Sequence, residues 1–280
     1  KKINFSNHGY NKYKIKGKIF NKNFKAYLDE KNQNFNFKVL NTGIKVDTNF
    51  EEMNNKNYLS GSSKINILKN YLRLNFLVKE NLIEVKKSNF RNKNISLSFD
   101  GFILFDPFFE VNSEIYIDKI NKKLISNLSL NEIFENKDIL KKLNSKNKII
   151  YKKKRSKNSI INGHYSELDL SHGRLILINN INITGGNINC KGQSLLLEEY
   201  PRLDFNCLFN IQEKNKLLKK FSISKNINNS PVNLNIEGSL NLLNRKINFI
   251  KIDTDTNYVA NEEDLKYFKE TFEKFYLKMV

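Results

Sequence analysis

Apolar and polar residues alternate with a period of two over most of this chain. In QNFNFKVL, Phe35, Phe37 and Val39 point one way while Asn34, Asn36 and Lys38 point the other. YLRLNFLVKE repeats the pattern with Leu72, Leu74, Phe76 and Val78, NISLSF with Ile95, Leu97 and Phe99, and EVNSEIYI with Val111, Ile115 and Ile117. Later runs carry Leu203, Phe205, Cys207, Phe209 and Ile211, then Val232, Leu234, Ile236, Leu240 and Leu242. Successive side chains of a strand leave opposite faces, so each run builds one apolar and one polar face. An antiparallel sheet wetted on one side reads this way.

Short polar segments such as LDEKNQN, VKENL and LLNRKIN separate the runs and have the length of hairpin loops. Connections that short force neighbouring strands to be antiparallel. No alternation of strand and helix is visible, which argues against a parallel sheet. The expected fold is therefore mostly β, a repetitive antiparallel sheet with a few helices.

Three segments depart from the strand rhythm. Residues 122–145 place Ile133, Phe134, Ile139, Leu140 and Leu143 at roughly helical spacing, and EKNKLLKKFS near 213–220 reads as a short basic helix. Residues 261–279 are the clearest, with Leu265, Phe268, Phe272, Phe275 and Met279 on one stripe and Tyr276 alongside. Asn261 is placed to cap that helix, and Glu262, Glu263 and Asp264 suit the positive end of its dipole. The basic run YKKKRSKN, residues 151–158, follows the first of these segments. A division near 147 is expected there, giving sections 1–146 and 147–280, with one continuous domain as the alternative.

Hydrophobic residues make up 39% of the chain, and there is no Trp. That supply is thin for a compact domain and better suited to an open or two-layer shape with high surface per residue. A net charge of +19 invites a nucleic-acid reading. Lys far outnumbers Arg, however, and the sequence is crowded with Asn, Lys and Ile, which AT-rich codons encode. The charge is then expected to sit mainly on solvated strand faces, and no nucleic-acid partner is expected. The positive field attracts anionic membrane surfaces whatever its origin.

Little in the sequence points to chemistry. His164 and His172 lie near Glu167 and Asp169, but metal centres need three or four converging ligands, so none is expected. No nucleophile elbow or Walker loop occurs, and Gly185–Gly186 precedes a strand instead of a helix. No catalytic residue, cofactor or metal is expected. KKKR at 152–155 is a run that so lysine-rich a chain produces by chance. No run of about 18 apolar residues is present to form a spanning helix. The chain opens at Lys1 within a strand-like pattern, so it is expected to be a fragment or processed form of a longer protein.

The stretch NLIEVKKSNFRNKNISLSFDGFILFDPFFEVNSEIYID, residues 81–118, resembles the repeated β section of the AsmA-like family of Gram-negative envelope proteins, which takes in the TamB and YhdP types. A strand there leads to Ser88-Asn89-Phe90, then a polar turn, a strand ending in Gly101, and a connection bearing Asp106-Pro107. GRLILINNINITGGNINCKG, LLLEEYPRLDFNCLFNI and LLKKFSI resemble the C-terminal part of AsmA-like proteins from small AT-rich alphaproteobacterial genomes. The resemblance implies an elongated, twisted, taco-like β groove with an apolar concave face. It further implies a periplasmic location, a parent chain anchored in the inner membrane by a helix outside this fragment, and phospholipids as partners. The function implied is phospholipid transport and outer-membrane biogenesis, without catalysis.

On this reading the groove is lined by Phe35, Phe37, Val39, Leu72, Leu74, Phe76, Ile95, Leu97, Phe99, Val111, Ile115 and Ile117. A closed β-sandwich with its apolar faces in contact remains the alternative fold, and a structural envelope protein without ligand the alternative function. Cys190 and Cys207 both look inward from their strands, able either to pair in a disulfide or to pack as small apolar thiols.

Overall fold

The computed structural model describes residues 3–7, 12–19, 21–51, 58–121, 137–152, 160–222 and 230–274. The chain separates into two compact units, Lys1–Pro107 and Phe108–Val280. The division expected near 147 is not where the structure places it. Residue 147 lies within a strand that is paired along both edges, so a cut there would break two ladders.

The first unit holds β1 (Ile3–Asn7), β2 (Lys12–Ile19), β3 (Lys22–Asp29), β4 (Asn34–Val39), β5 (Ile44–Phe50), β6 (Leu59–Ile67), β7 (Asn70–Val78), β8 (Leu82–Arg91) and β9 (Ile95–Leu104). Each strand pairs antiparallel with the next. The alternating sequence dictates this, because each apolar set reaches the same face only in the observed register. Turn chemistry assists. Asp29 closes the β3–β4 loop by accepting the Asn32 backbone N–H at 3.1 Å and its side-chain amide at 2.9 Å. The β6–β7 turn is less expected, since Leu68 and Lys69 both adopt positive φ, 48° and 73°. Non-glycine residues rarely take that conformation. Asn70 supports the turn by donating to the Ile67 carbonyl at 2.9 Å.

The second unit holds β10 (Glu110–Ile120), α1 (Lys137–Lys142), β11 (Asn144–Lys152), β12 (Ile161–Ser171), β13 (Arg174–Ile183), β14 (Gly186–Leu195), β15 (Arg202–Ile211), α2 (Lys214–Lys220), β16 (Val232–Asn241), β17 (Ile247–Thr254) and α3 (Glu262–Phe272). From β11 to β17 consecutive strands are antiparallel. β10 and β11 are parallel, an exception to the antiparallel pairing expected of short connections. The physical reason is the connection. Residues 121–143 are long enough for the crossover that parallel strands need, and α1 lies within them. His172 and Gly173 take positive φ, 49° and 82°, and make the two-residue turn between β12 and β13.

Helix expectations are met in part. Of the segment 122–145, residues 122–136 lie outside the described residues, 137–142 form α1, and 144–145 begin β11. α2 falls where the basic segment was expected. α3 begins at a full capping box: Asn261 accepts the Asp264 N–H at 2.9 Å, and Asp264 accepts the Asn261 N–H at 3.2 Å. Leu265, Phe268 and Phe272 belong to α3, while Phe275, Tyr276 and Met279 lie outside the described residues.

Candidate functional site

Cross-strand register converts the alternating runs into one surface in the first unit. Ile15 faces Ala26, Ala26 faces Phe37, and Phe37 faces Val46. Val46 faces Ile65, Ile65 faces Leu72, Leu72 faces Phe90, and Phe90 faces Leu97. This is an unbroken apolar row across eight strands. Phe35, Leu74 and Phe99 lie beside it, interleaved with Thr48, Ser63 and Ser88. Ring contacts bind the same face laterally, Phe24 to Phe37 at 5.6 Å between centroids and Phe50 to Phe76 at 6.3 Å.

Maintaining the face across β8 requires a bulge. Val85 opposes Phe76 and Phe90 opposes Leu72, although their five-residue spacing would send them to opposite faces of a regular strand. One extra residue in β8 restores them to the same face, with Lys87 at φ 48°. The Ser88 hydroxyl is fully buried in this bulge and accepts the Asn75 N–H at 3.0 Å. Asn75 in turn donates its amide to the carbonyls of Lys86 and Lys87, each at 3.1 Å. Asp100 accepts the Lys87 N–H at 2.5 Å.

The surface is half open. Of the twelve groove residues expected from the sequence, only Val39 is buried, at 5% exposed, and the others are half-buried. A closed sandwich would bury the whole set. In the first unit, the described strands of this sheet pack against their ladder neighbours and no described second layer covers the apolar face.

In the second unit Val111, Ile115 and Ile117 do not enter an unbroken apolar row. They oppose Ser145, Ile149 and Tyr151, which in turn oppose Leu170, Ser166 and His164. Ser113, Asn147 and Ser145 on this face form one chain of hydrogen bonds. Ser113 donates to the Asn147 side-chain oxygen at 2.6 Å, Asn147 to Ser145 at 2.6 Å, and Ser145 to the Val111 carbonyl at 2.7 Å. His164 meets Asn179 at 3.1 Å. Sequence reading missed this polar patch because Ser113, Ser145 and Asn147 read as ordinary alternation outside their ladders.

The face becomes apolar again toward β17. Cys190 opposes Cys207, Cys207 opposes Ile236, and Ile236 opposes Ile252. The two cysteines are 4.0 Å apart at Cα, and their sulfurs are joined. Under α3 a cavity of about 300 Å³ is lined by Leu234, Ile236, Phe249, Ile252, Phe268 and Phe272 among others. That volume is at the lower end for a small-molecule site. Phe272 meets Phe249 edge to face at 6.0 Å, which seats the helix on the sheet.

The polar faces carry the perturbed ionisable groups. Hydrogen bonds from Lys86 and Lys79 hold the Glu84 carboxyl below its usual range. The Tyr165 hydroxyl donates to Glu167, and that bond raises the phenol. Among the described residues no three His, Cys, Asp or Glu side chains converge as metal ligands, and no helix is long and apolar enough to cross a membrane. His172 lies in the β12–β13 turn and bonds Ser171, 3.1 Å away; His8 lies outside the described residues. No model of a known protein family matches the chain, and neither a curated protein nor a solved structure matches it.

Proposed function

We propose that this chain is a non-catalytic envelope protein whose apolar sheet face binds lipid acyl chains, in phospholipid transport and outer-membrane biogenesis. The observation that carries the reading is the row from Ile15 to Leu97, apolar on eight consecutive strands and half-exposed at every position but the buried Ala26. An apolar face this extensive is costly in water and calls for a cover. Acyl chains supply one, at about 0.8 kcal/mol for each buried CH₂. The polar residues among them, such as Thr48 bonded to Ser63 at 2.9 Å, satisfy each other and leave the apolar atoms to the ligand.

The AsmA-like resemblance of residues 81–118 supports the same reading and brings with it the periplasmic location and an inner-membrane anchor. The joined cysteines accord with an oxidising compartment. Native mass spectrometry after gentle detergent extraction tests the proposal. Co-purified phospholipid is the expected result. Protein free of lipid under those conditions would favour a structural role without ligand.

A further inference from the structure

The face opposite the apolar row carries an arrangement that the lipid-binding reading does not use. Lys16 of β2 faces Lys25 of β3, Lys25 faces Lys38 of β4, and Lys38 faces Lys45 of β5. All four are exposed. Adjacent strands lie 4.7–4.9 Å apart, so the four ammonium groups sprout from a row about 15 Å long. Like charges directly opposite on paired strands are destabilising. Only Lys45 has an intramolecular counter-ion, Asp47 at 2.6 Å. Lys16, Lys25 and Lys38 have none among the described residues.

The second unit disposes its lysines otherwise. Lys146 faces Asp169, Lys148 faces Glu167, and Lys251 faces Glu237. High lysine content alone therefore does not impose lysine-on-lysine register in this chain. We propose that the lysine row of β2–β5 is a docking site for an anionic lipid bilayer surface.

The chemistry of the row favours headgroups over nucleic acid. Lysine offers a mobile point charge and no bidentate fork for bases or phosphates, whereas laterally mobile headgroups adapt to point charges. The only described aromatic residue on this face of β2–β5 is Tyr27, and its hydroxyl is engaged by Asp29 at 3.3 Å. A base-stacking platform is therefore lacking there. The site is on the opposite face from the proposed acyl-chain surface, and the two readings stand or fall separately.

Co-sedimentation with vesicles of phosphatidylcholine, with and without phosphatidylglycerol, tests the site. Binding is expected only to the anionic vesicles and is expected to fall steeply with salt. Each neutralised lysine should weaken it about fivefold, so the double variant Lys25→Gln/Lys38→Gln should bind roughly 25-fold more weakly. Lys25→Arg/Lys38→Arg, which keeps the charge, should bind as the unaltered protein does. Lys146→Gln/Lys148→Gln, at the carboxylate-facing positions, should change binding less than twofold. Equal binding to neutral vesicles, retention of binding by a folded Lys25→Gln/Lys38→Gln variant, equal losses from both glutamine pairs, or preferential binding of single-stranded DNA would each overturn the proposal.

Discussion

The buried hydroxyl of Ser88 accepts the backbone N–H of Asn75 from the neighbouring strand, 3.0 Å away. The bulge interrupts the ladder between Arg73 and Phe76, so this side chain takes the place of a carbonyl that the partner strand no longer presents. The bond thereby holds the distortion that keeps Val85 and Phe90 on one face. Ser88→Ala should orphan that N–H and destabilise the first unit by about 1–3 kcal/mol. Hydrogen exchange read at Asn75 should accelerate. Unchanged protection at Asn75 would show that the bulge is held by other contacts.

Asp29 gives the first unit a pH dependence. The backbone hydrogen bond from Asn32 is the largest influence, opposed by desolvation and reinforced by the Asn32 amide, Lys12 and Tyr27; together they hold the carboxyl below its ordinary value. A group depressed on folding contributes stability above its unfolded pKa, about 3.9, and loses it as pH falls through the lower folded value. The β3–β4 loop should accordingly loosen below about pH 4, with exchange of the Asn32 N–H as the readout. Asp29→Asn should remove this pH dependence, and an equally steep response in that variant would assign it to another group.

The cysteine pair should resist alkylation in folded, non-reduced protein. Closing a loop of seventeen residues contributes about 3 kcal/mol through the unfolded chain. Reduction, or Cys190→Ser/Cys207→Ser, should lower the stability of the second unit by that order. Mass spectrometry showing two alkylated cysteines in oxidised protein would remove both the bond and its support for an oxidising compartment.

Much of the fold was legible because its physics is local. A period of two is visible in any run such as Leu72–Leu74–Phe76, and the Asn261 cap with its acidic first turn announces α3. What escaped reading depends on partners distant in sequence or on unusual backbone. Leu68 and Lys69 turn the chain without the glycine or asparagine that marks such a turn at either position. Ser88 looks like a minor polar residue until its ladder is known. The parallel seating of β10 on β11 follows from a connection whose length was read only as a helix. The apolar face of the first unit was legible for the same reason as the strands. Its polar interruption in the second unit was not, since Asn147 and Ser113 meet only across 34 residues of sequence.

The central claim is that lipid lies on one face of the strands of the first unit. Leu74 is half-buried on the apolar face, opposite Ser63, whereas Arg73 is exposed on the other face, opposite Lys64. A photocrosslinking residue placed singly at each position and irradiated in intact cells tests the claim most directly. The account predicts phospholipid adducts at Leu74 in large excess over Arg73. Equal labelling at the two positions, or none at Leu74, would contradict it.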